Sequence, residues 1–218
     1  MPLFFNADRE KMSRPPEKPQ TSNRPAPEPL AKYFAAVLYR EEEALRQAIA
    51  RLESAFSPVD HLGAAHPFDQ TDYYRTEMGG GLRRALVSFA ALASPAGLAE
   101  AKHAAAAVED ALRNPAGNRT VNVDVGYLDL FKVVLASFKA RGQKIYLGQG
   151  VWADLTLTYR GGRFHPFPWT FPDFGGDDSG GDDSGGDDSG GDASGGRYDA
   201  DLLAIRERYK QQMRESGR

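Results

Sequence analysis

Cysteine is absent from this 218-residue chain. That excludes disulfides, thiolate metal sites and a cysteine nucleophile, and it agrees with a reducing compartment. Long apolar runs are absent as well. No stretch approaches the roughly 18 residues that a membrane span requires, and the N-terminal MPLFFNADRE has only Leu3–Phe5, too short for the apolar core of a signal peptide. The expectation is a cytoplasmic protein with no membrane partner. No Gly-x-x-x-x-Gly-Lys-[Ser/Thr] loop and no Asn-Lys-x-Asp string occurs, so the phosphate cradle and guanine reader of P-loop proteins are missing.

A net excess of acidic charge is absent outside one segment. The net charge is −3, yet seven aspartates (177, 178, 182, 183, 187, 188 and 192) lie in a single low-complexity stretch. Removing those seven charges turns −3 into +4, so the remainder is mildly basic. Residues 1–30 hold seven of the 14 prolines and bury too little apolar surface to offset their ordering entropy, which predicts a disordered Pro-rich arm. Residues 175–196 repeat Gly-Gly-Asp-Asp-Ser, a composition of free backbone and self-repelling charge that predicts a flexible acidic linker. Between them, residues 31–174 form the expected α+β core domain, and residues 197–218 a C-terminal helix docking on it.

Within the core, Tyr33 to Tyr39 is a compact apolar run and reads as a buried strand. Glu41 to Glu43 suit the positive end of a helix whose stripe is Leu45, Ile49, Leu52 and Phe56. Arg84 to Leu92 reads as a strand. Ser94 and Pro95 open a helix with the stripe Leu98, Ala101, Ala105, Val108 and Leu112. Thr120 to Asp124 alternates as a short strand. Leu128, Phe131, Leu135 and Phe138 recur at helical spacing and predict a further helix. Lys144 to Tyr159 reads as two strands meeting at Gly148-Gln149-Gly150, followed by a turn at Gly161-Gly162. The order reads as β-α-β-β-α-β, then α-β-β and a distant helix. It predicts a ferredoxin-like split βαβ core extended by an additional helix and β-hairpin.

Several polar clusters are candidates for chemistry. Asp69, Asp72 and Glu77 form the densest carboxylate group and, with Asp124 and Asp154, suit a hard divalent ion such as Mg²⁺ or Mn²⁺ or a general acid–base pair. The metal candidates are Asp72, Asp124 and Asp154. The alternative is that Asp69 and Asp72 accept backbone N–H groups in a tight turn, leaving Tyr73 and Tyr74 to pack. Asn122 and Asp124 share one strand face, and Gly126 then turns into the predicted helix. That arrangement reads either as a ligand cradle at a helix N-terminus, with Tyr127 beside it, or as Asp124 capping the helix. His61, His66 and His165 are isolated histidines that read as base, metal ligand or ordinary surface residues. Trp169, with Phe167, Phe171 and Phe174, forms an aromatic run that either stacks on a planar ligand or closes the core. The last helix carries Arg197, Arg206, Arg208, Lys210, Arg214 and Arg218 as a solvated face or a phosphate contact.

Four strings, taken in order and spacing, carry a resemblance. They are Pro67-Phe68-Asp69-Gln70-Thr71-Asp72-Tyr73-Tyr74 with Glu77-Met78-Gly79; Asn122-Val123-Asp124-Val125-Gly126-Tyr127-Leu128; Ile145-Tyr146-Leu147-Gly148; and Pro168-Trp169-Thr170-Phe171-Pro172-Asp173. Together they resemble the bacterial and archaeal family called domain of unknown function 4416, over roughly residues 31–174 and again at the last helix. The chain departs from that family at Val125, where proline is common, and in the acidic repeat, which resembles an insertion. The family has no assigned activity, so the resemblance implies a fold and not a reaction.

Three functions remain open. The first is a domain binding or converting a nucleotide or other small phosphorylated ligand, with or without a divalent metal. The second is a protein-interaction module. The third is a nucleic-acid accessory protein, disfavoured because the acidic repeat competes for the basic helix. For the repeat itself, a Gly/Ser connection of about half the length is expected to change the melting temperature by only a few degrees, since halving a loop changes closure entropy by about 0.6 kcal/mol. A loss of many degrees in a thermal melt would show that the aspartates pair with the folded domain.

Overall fold

The computed structural model describes residues 28–69, 71, 73–171, 174 and 196–217. Most of the predicted Pro-rich arm, nearly all of the acidic repeat, and Asp72 lie outside the described residues.

The chain folds as an α+β protein around one antiparallel sheet. In chain order its elements are β1 (Ala31–Tyr39), α1 (Glu42–Ala55), β2 (Val59–Leu62), β3 (His66–Pro67), α2 (Arg75–Met78), β4 (Arg83–Ala93), α3 (Leu98–Ala111), β5 (Val121–Leu128), β6 (Lys132–Ser137), β7 (Ile145–Gly148), β8 (Val151–Arg160), β9 (Arg163–Pro166) and α4 (Asp199–Glu215). The strands run in the order β2-β4-β1-β5-β6-β8-β7, with β3 beside β4 and β9 beside β8.

β1 is central, antiparallel to both β4 and β5. All nine of its residues are buried, as expected of a strand covered on both faces and built of an unbroken apolar run. Its odd-numbered side chains, Tyr33, Ala35, Val37 and Tyr39, meet Leu45, Ala48 and Leu52 of α1 and Leu98, Ala105 and Val108 of α3. Its even-numbered Phe34 and Ala36 join Leu86 and Leu128 against Leu202, Ile205 and Tyr209 of α4. The molecule is therefore three-layered, with α1 and α3 on one face of the sheet and α4 on the other. α3 begins as the sequence indicates: the Ser94 hydroxyl accepts the Ala96 N–H, and Pro95 opens a single 3-10 turn before the helix.

α4 is fixed by polar groups as well as by its apolar face. The Tyr209 hydroxyl donates to the Leu30 carbonyl at 2.9 Å, and Arg206 Nε to the Leu130 carbonyl at 3.0 Å. The Arg206 guanidinium lies 3.5 Å from the Tyr159 ring centre. Lys32, fully buried in β1, gives its ammonium to Asp60 and to Gln212 of α4. Burial pushes the Asp60 carboxyl up, but hydrogen bonds from Lys32 and Ser88 outweigh it and hold it below the ordinary aspartate range.

The helix expected from Leu128, Phe131, Leu135 and Phe138 does not form. β5 continues to Leu128, and Lys132–Ser137 is a strand. The i, i+3, i+7 spacing is coincidental: Leu128 ends β5, Phe131 sits exposed in the connection, and Val133-Val134 is a β-branched pair that buries one side chain on each face of the sheet. The short strands β2 and β3 fall where the sequence indicated only a loop flanked by His61 and His66.

No helix among the described residues is long and apolar enough to cross a membrane. At the far edge of the sheet, β7 exposes Ile145, Tyr146 and Leu147. For α4, Ile205→Ala is expected to destabilise the protein by about 2–5 kcal/mol in urea unfolding, as for other fully buried aliphatic truncations. Arg214→Ala on its exposed side should change stability by less than about 0.5 kcal/mol. Equal, small effects would mean that the helix does not dock in solution.

Candidate functional site

The sheet is split between β5 and β6. The two strands pair only through Gly126↔Leu135, Tyr127↔Val134 and Leu128↔Val133. Gly126 sits at the joint, where a Cβ would overlap the Val134 carbonyl oxygen and the Leu135 side chain, so only glycine lets the strands meet this closely. Beyond it, residues 121–125 of β5 have no strand partner on that side. Their backbone groups still require partners. α3 supplies them at Val123, whose carbonyl accepts Lys102 Nζ at 3.0 Å and whose N–H donates to Glu109 Oε1 at 2.7 Å. Lys102 and Glu109 stand seven residues apart on the buried stripe of α3, so their side chains reach the same strand.

A cavity of about 470 Å³ occupies this split. Its polar wall comes from alternate residues on the α4 face of the sheet: Arg84 on β4, Asn122 and Asp124 on β5, and Asp154 on β8. Asp124 is at the centre. Its Oδ2 accepts from Asn122 Nδ2 at 3.1 Å and from Arg84 Nη2 at 3.4 Å, and its Oδ1 lies 3.8 Å from Lys102 Nζ. Asn122 Oδ1 in turn accepts Arg119 Nη1 at 2.8 Å, and Arg119 grips Glu77 with Nη2 at 2.6 Å from Oε2 and Nε at 3.0 Å from both oxygens. Asp154, 4% exposed, is held by Gln143 Nε2 at 3.0 Å and Lys144 Nζ at 3.2 Å. Lys144 Nζ also donates to Ser137 Oγ at 3.1 Å.

Aromatic rings line the rest, and each cation around the cavity lies against one. Arg84 is 4.5 Å from the Phe68 ring centre, Lys139 4.3 Å from Tyr73, Arg119 5.7 Å from Tyr74, Lys102 5.5 Å from Phe138 and Lys144 5.6 Å from Phe171. Arg84 and Lys102 are only 4% and 6% exposed, so their charges act in a poorly screened setting. The environment also moves the acids. Burial pushes the Glu109 carboxyl up, against the Val123 N–H and the Lys102 charge. Burial, with the Asp124 charge added, pushes the Tyr74 phenol up. The Arg119 hydrogen bonds hold Glu77 below its ordinary value.

Of the residues singled out in the sequence, Asn122, Asp124 and Asp154 come together here. Glu77 touches the same network through Arg119 but lines a neighbouring groove with Arg113 and Met78. Asp69 lies elsewhere on the surface, paired with Arg197 at 3.0 Å. Asp72 lies outside the described residues. Asp124 caps no helix and Gly126 opens none, so both the cap and the helix-terminal cradle are corrected: Asp124 is a mid-strand residue of a continuous β5. Tyr127 points to the opposite face, 6.0 Å from Tyr33. Trp169 stacks on Phe167 at 5.0 Å and donates its indole N–H to the Leu155 carbonyl, while Phe171 and Phe174 of the same run do line the cavity. His61 and His66 both turn to Asp201 of α4, at 3.1 and 3.8 Å, and His165 bonds the Arg160 carbonyl. Among the described residues no three carboxylate or imidazole groups converge as a metal-binding set.

The cations Arg84, Lys102, Arg119 and Lys144 and the acid Glu109 were not singled out in the sequence. A signal existed for two of them: Lys102 and Glu109 interrupt the apolar stripe of α3 at positions facing the core, where an unpaired charge is not tolerated.

The fold and cleft define an α+β protein with a polar, aromatic-walled pocket in a split sheet. The chain belongs to the family described as Domain of unknown function (DUF4416), whose model matches residues 29–179. No curated protein and no solved structure matches it.

The Glu77–Arg119 pair gives a pH prediction. A carboxyl held below the ordinary glutamate value of 4.5 contributes stability above that value and loses it as pH falls through the depressed one. The stability gap between the wild type and Glu77→Gln, measured by urea unfolding, should therefore be widest near about pH 7 and narrow towards about pH 3. A gap that does not change with pH would show that the pair contributes no charge-dependent stability.

Proposed function

We propose that this chain binds a planar, anionic small molecule of about nucleotide size in the cleft between β5 and β6. The observation that carries the reading is the pairing of the four cations that line the cavity, Arg84, Lys102, Arg119 and Lys139, with aromatic rings of the same wall. Arg and Lys are the side chains that recognise phosphate and carboxylate, and aromatic faces stack on planar rings without demanding a particular one. The volume of about 470 Å³ lies within the range usual for small-ligand pockets. Glu77, Glu109 and Asp154 fit a supporting role, since both oxygens of each are committed to a cation, an amide or a backbone N–H. The reading is accordingly one of charge and shape recognition, with a phosphorylated metabolite as the favoured ligand.

We also read the first half of the sheet as a split βαβ arrangement of the ferredoxin-like kind. It is supported by the order β2-β4-β1-β5, antiparallel throughout, with α1 and α3 packed on the same face.

A thermal-shift series on the full chain tests the binding. Ligand that binds only the folded state stabilises it by about 2.7 kcal/mol at a hundredfold excess over Kd. Nucleoside monophosphates are expected to raise the melting temperature by several degrees, and ribose 5-phosphate, which lacks the ring, by less. Lys139→Ala removes an exposed cation from Tyr73 without touching the core and should weaken binding severalfold at unchanged stability. If no nucleotide and no other planar anion raises the melting temperature, the proposal fails.

A further inference from the structure

A cleft built only for an anion would not keep carboxylates in its wall, because like charges in a poorly screened site repel strongly. This cleft keeps three, Glu109, Asp124 and Asp154, and they differ. Glu109 takes the Val123 N–H on Oε1 and faces Arg119 Nη1 with Oε2. Asp154 has both oxygens engaged, one by Gln143 and one by Lys144. The Asp124 side chain is 29% exposed, and both of its hydrogen bonds, from Asn122 and Arg84, fall on Oδ2. Oδ1 has Lys102 Nζ at 3.8 Å, near enough for charge pairing but beyond hydrogen-bond length. Among the described residues, Oδ1 accepts no hydrogen bond. Water can reach this oxygen, and an occupant that displaces the water has to bring a donor of its own.

The geometry points to Asp124 as the specificity-determining acceptor of the cleft, taking a hydrogen bond from an N–H donor on the ring of the bound anion. The assignment rests on the binding reading above and narrows it. The ligand class becomes a nitrogen heterocycle that carries an anionic group at one end and an exocyclic amino group at the other. The two demands share one network. Asn122 holds Asp124 in place and is itself held by Arg119, so the acceptor is fixed by one of the cations that attract the anion. A site built around such an acceptor rejects an analogue lacking the donor, because the bound analogue displaces water from the acceptor and puts no partner in its place.

Calorimetric titration of the full chain with two matched pairs tests this. The pairs are adenosine 5′-monophosphate against purine riboside 5′-monophosphate, and guanosine 5′-monophosphate against inosine 5′-monophosphate. Each pair keeps ring, ribose and phosphate and differs by one amino group. In at least one pair the amino-bearing member should bind wild-type protein about tenfold tighter or more, the scale of a hydrogen bond to a charged group. Asp124→Asn keeps the volume and removes the charge. It should bring that ratio within about threefold, because a neutral acceptor bonds roughly half as strongly, while the amino-free member binds no more weakly than before. Equal binding within both pairs by the wild type overturns the assignment of Asp124 alone. So does Asp124→Asn weakening both members of a pair equally, which is the behaviour of a merely structural residue. The wild-type ratio stands as a test even if the variant does not fold. Failure of all four nucleotides to bind folded wild-type protein overturns the amino-purine assignment, and if no other planar anion raises the melting temperature either, the anion-binding reading falls with it.

Discussion

Three residue pairs hold the two halves of this sheet together at its middle, and the site depends on their being so few. Gly126 allows β5 and β6 to meet without side-chain separation, and the strands then diverge. Divergence strips β5 of a neighbour over residues 121–125, and unpaired backbone in the interior is not tolerated. α3 answers with one acid and one base aimed at a single residue, Val123. In effect two side chains stand in for a strand. The space left over is the cavity, so pocket and repair have the same origin. Gly126→Ala would force the joint apart and disturb both.

The charges of the cleft form a relay rather than a set of separate pairs. Glu77 orients Arg119, Arg119 orients Asn122, Asn122 orients Asp124, and Asp124 sits between Arg84 and Lys102. Buried ion pairs are weak contributors to net stability because desolvation offsets their attraction. A chain of them does something else well: it fixes directions. Another interior ion pair, Lys32 with Asp60, serves a different end, tying β1, β2 and α4 together with Gln212. One interior network shapes a site, and the other closes the molecule.

Most of the architecture was legible in the sequence, for identifiable reasons. β1, β4, α1 and α3 announce themselves through unbroken apolar runs, a 3.6-residue stripe and the Ser94-Pro95 start signal. The two glycine turns of β7, β8 and β9 are equally plain. The failure at residues 128–138 came from reading spacing without composition: Leu128, Phe131 and Leu135 keep a helical interval, but Val133 and Val134 prefer a strand. That error carried through to Asp124 and Gly126, which were assigned to a helix start that does not exist. Asn122 and Asp124 were nevertheless placed correctly on one strand face, since alternation along a strand is local. Convergence is not local. Arg84, Lys102 and Arg119 come from a strand, a helix and a connection spread over 36 positions of chain, and nothing in their immediate neighbours says that they face one another.

The position of α4 has a consequence in time. Its partners lie at the opposite end of the chain: Gln212 meets Lys32 across 180 positions, and Tyr209 meets Leu30 across 179. A ribosome delivers the chain from its N-terminus, and early segments fold as they emerge. The face of α1 and α3 can close while synthesis continues. The other face, with Phe34, Ala36, Leu86 and Leu128, stays uncovered until α4 has been made. Until then a nascent chain presents one finished surface and one adhesive one.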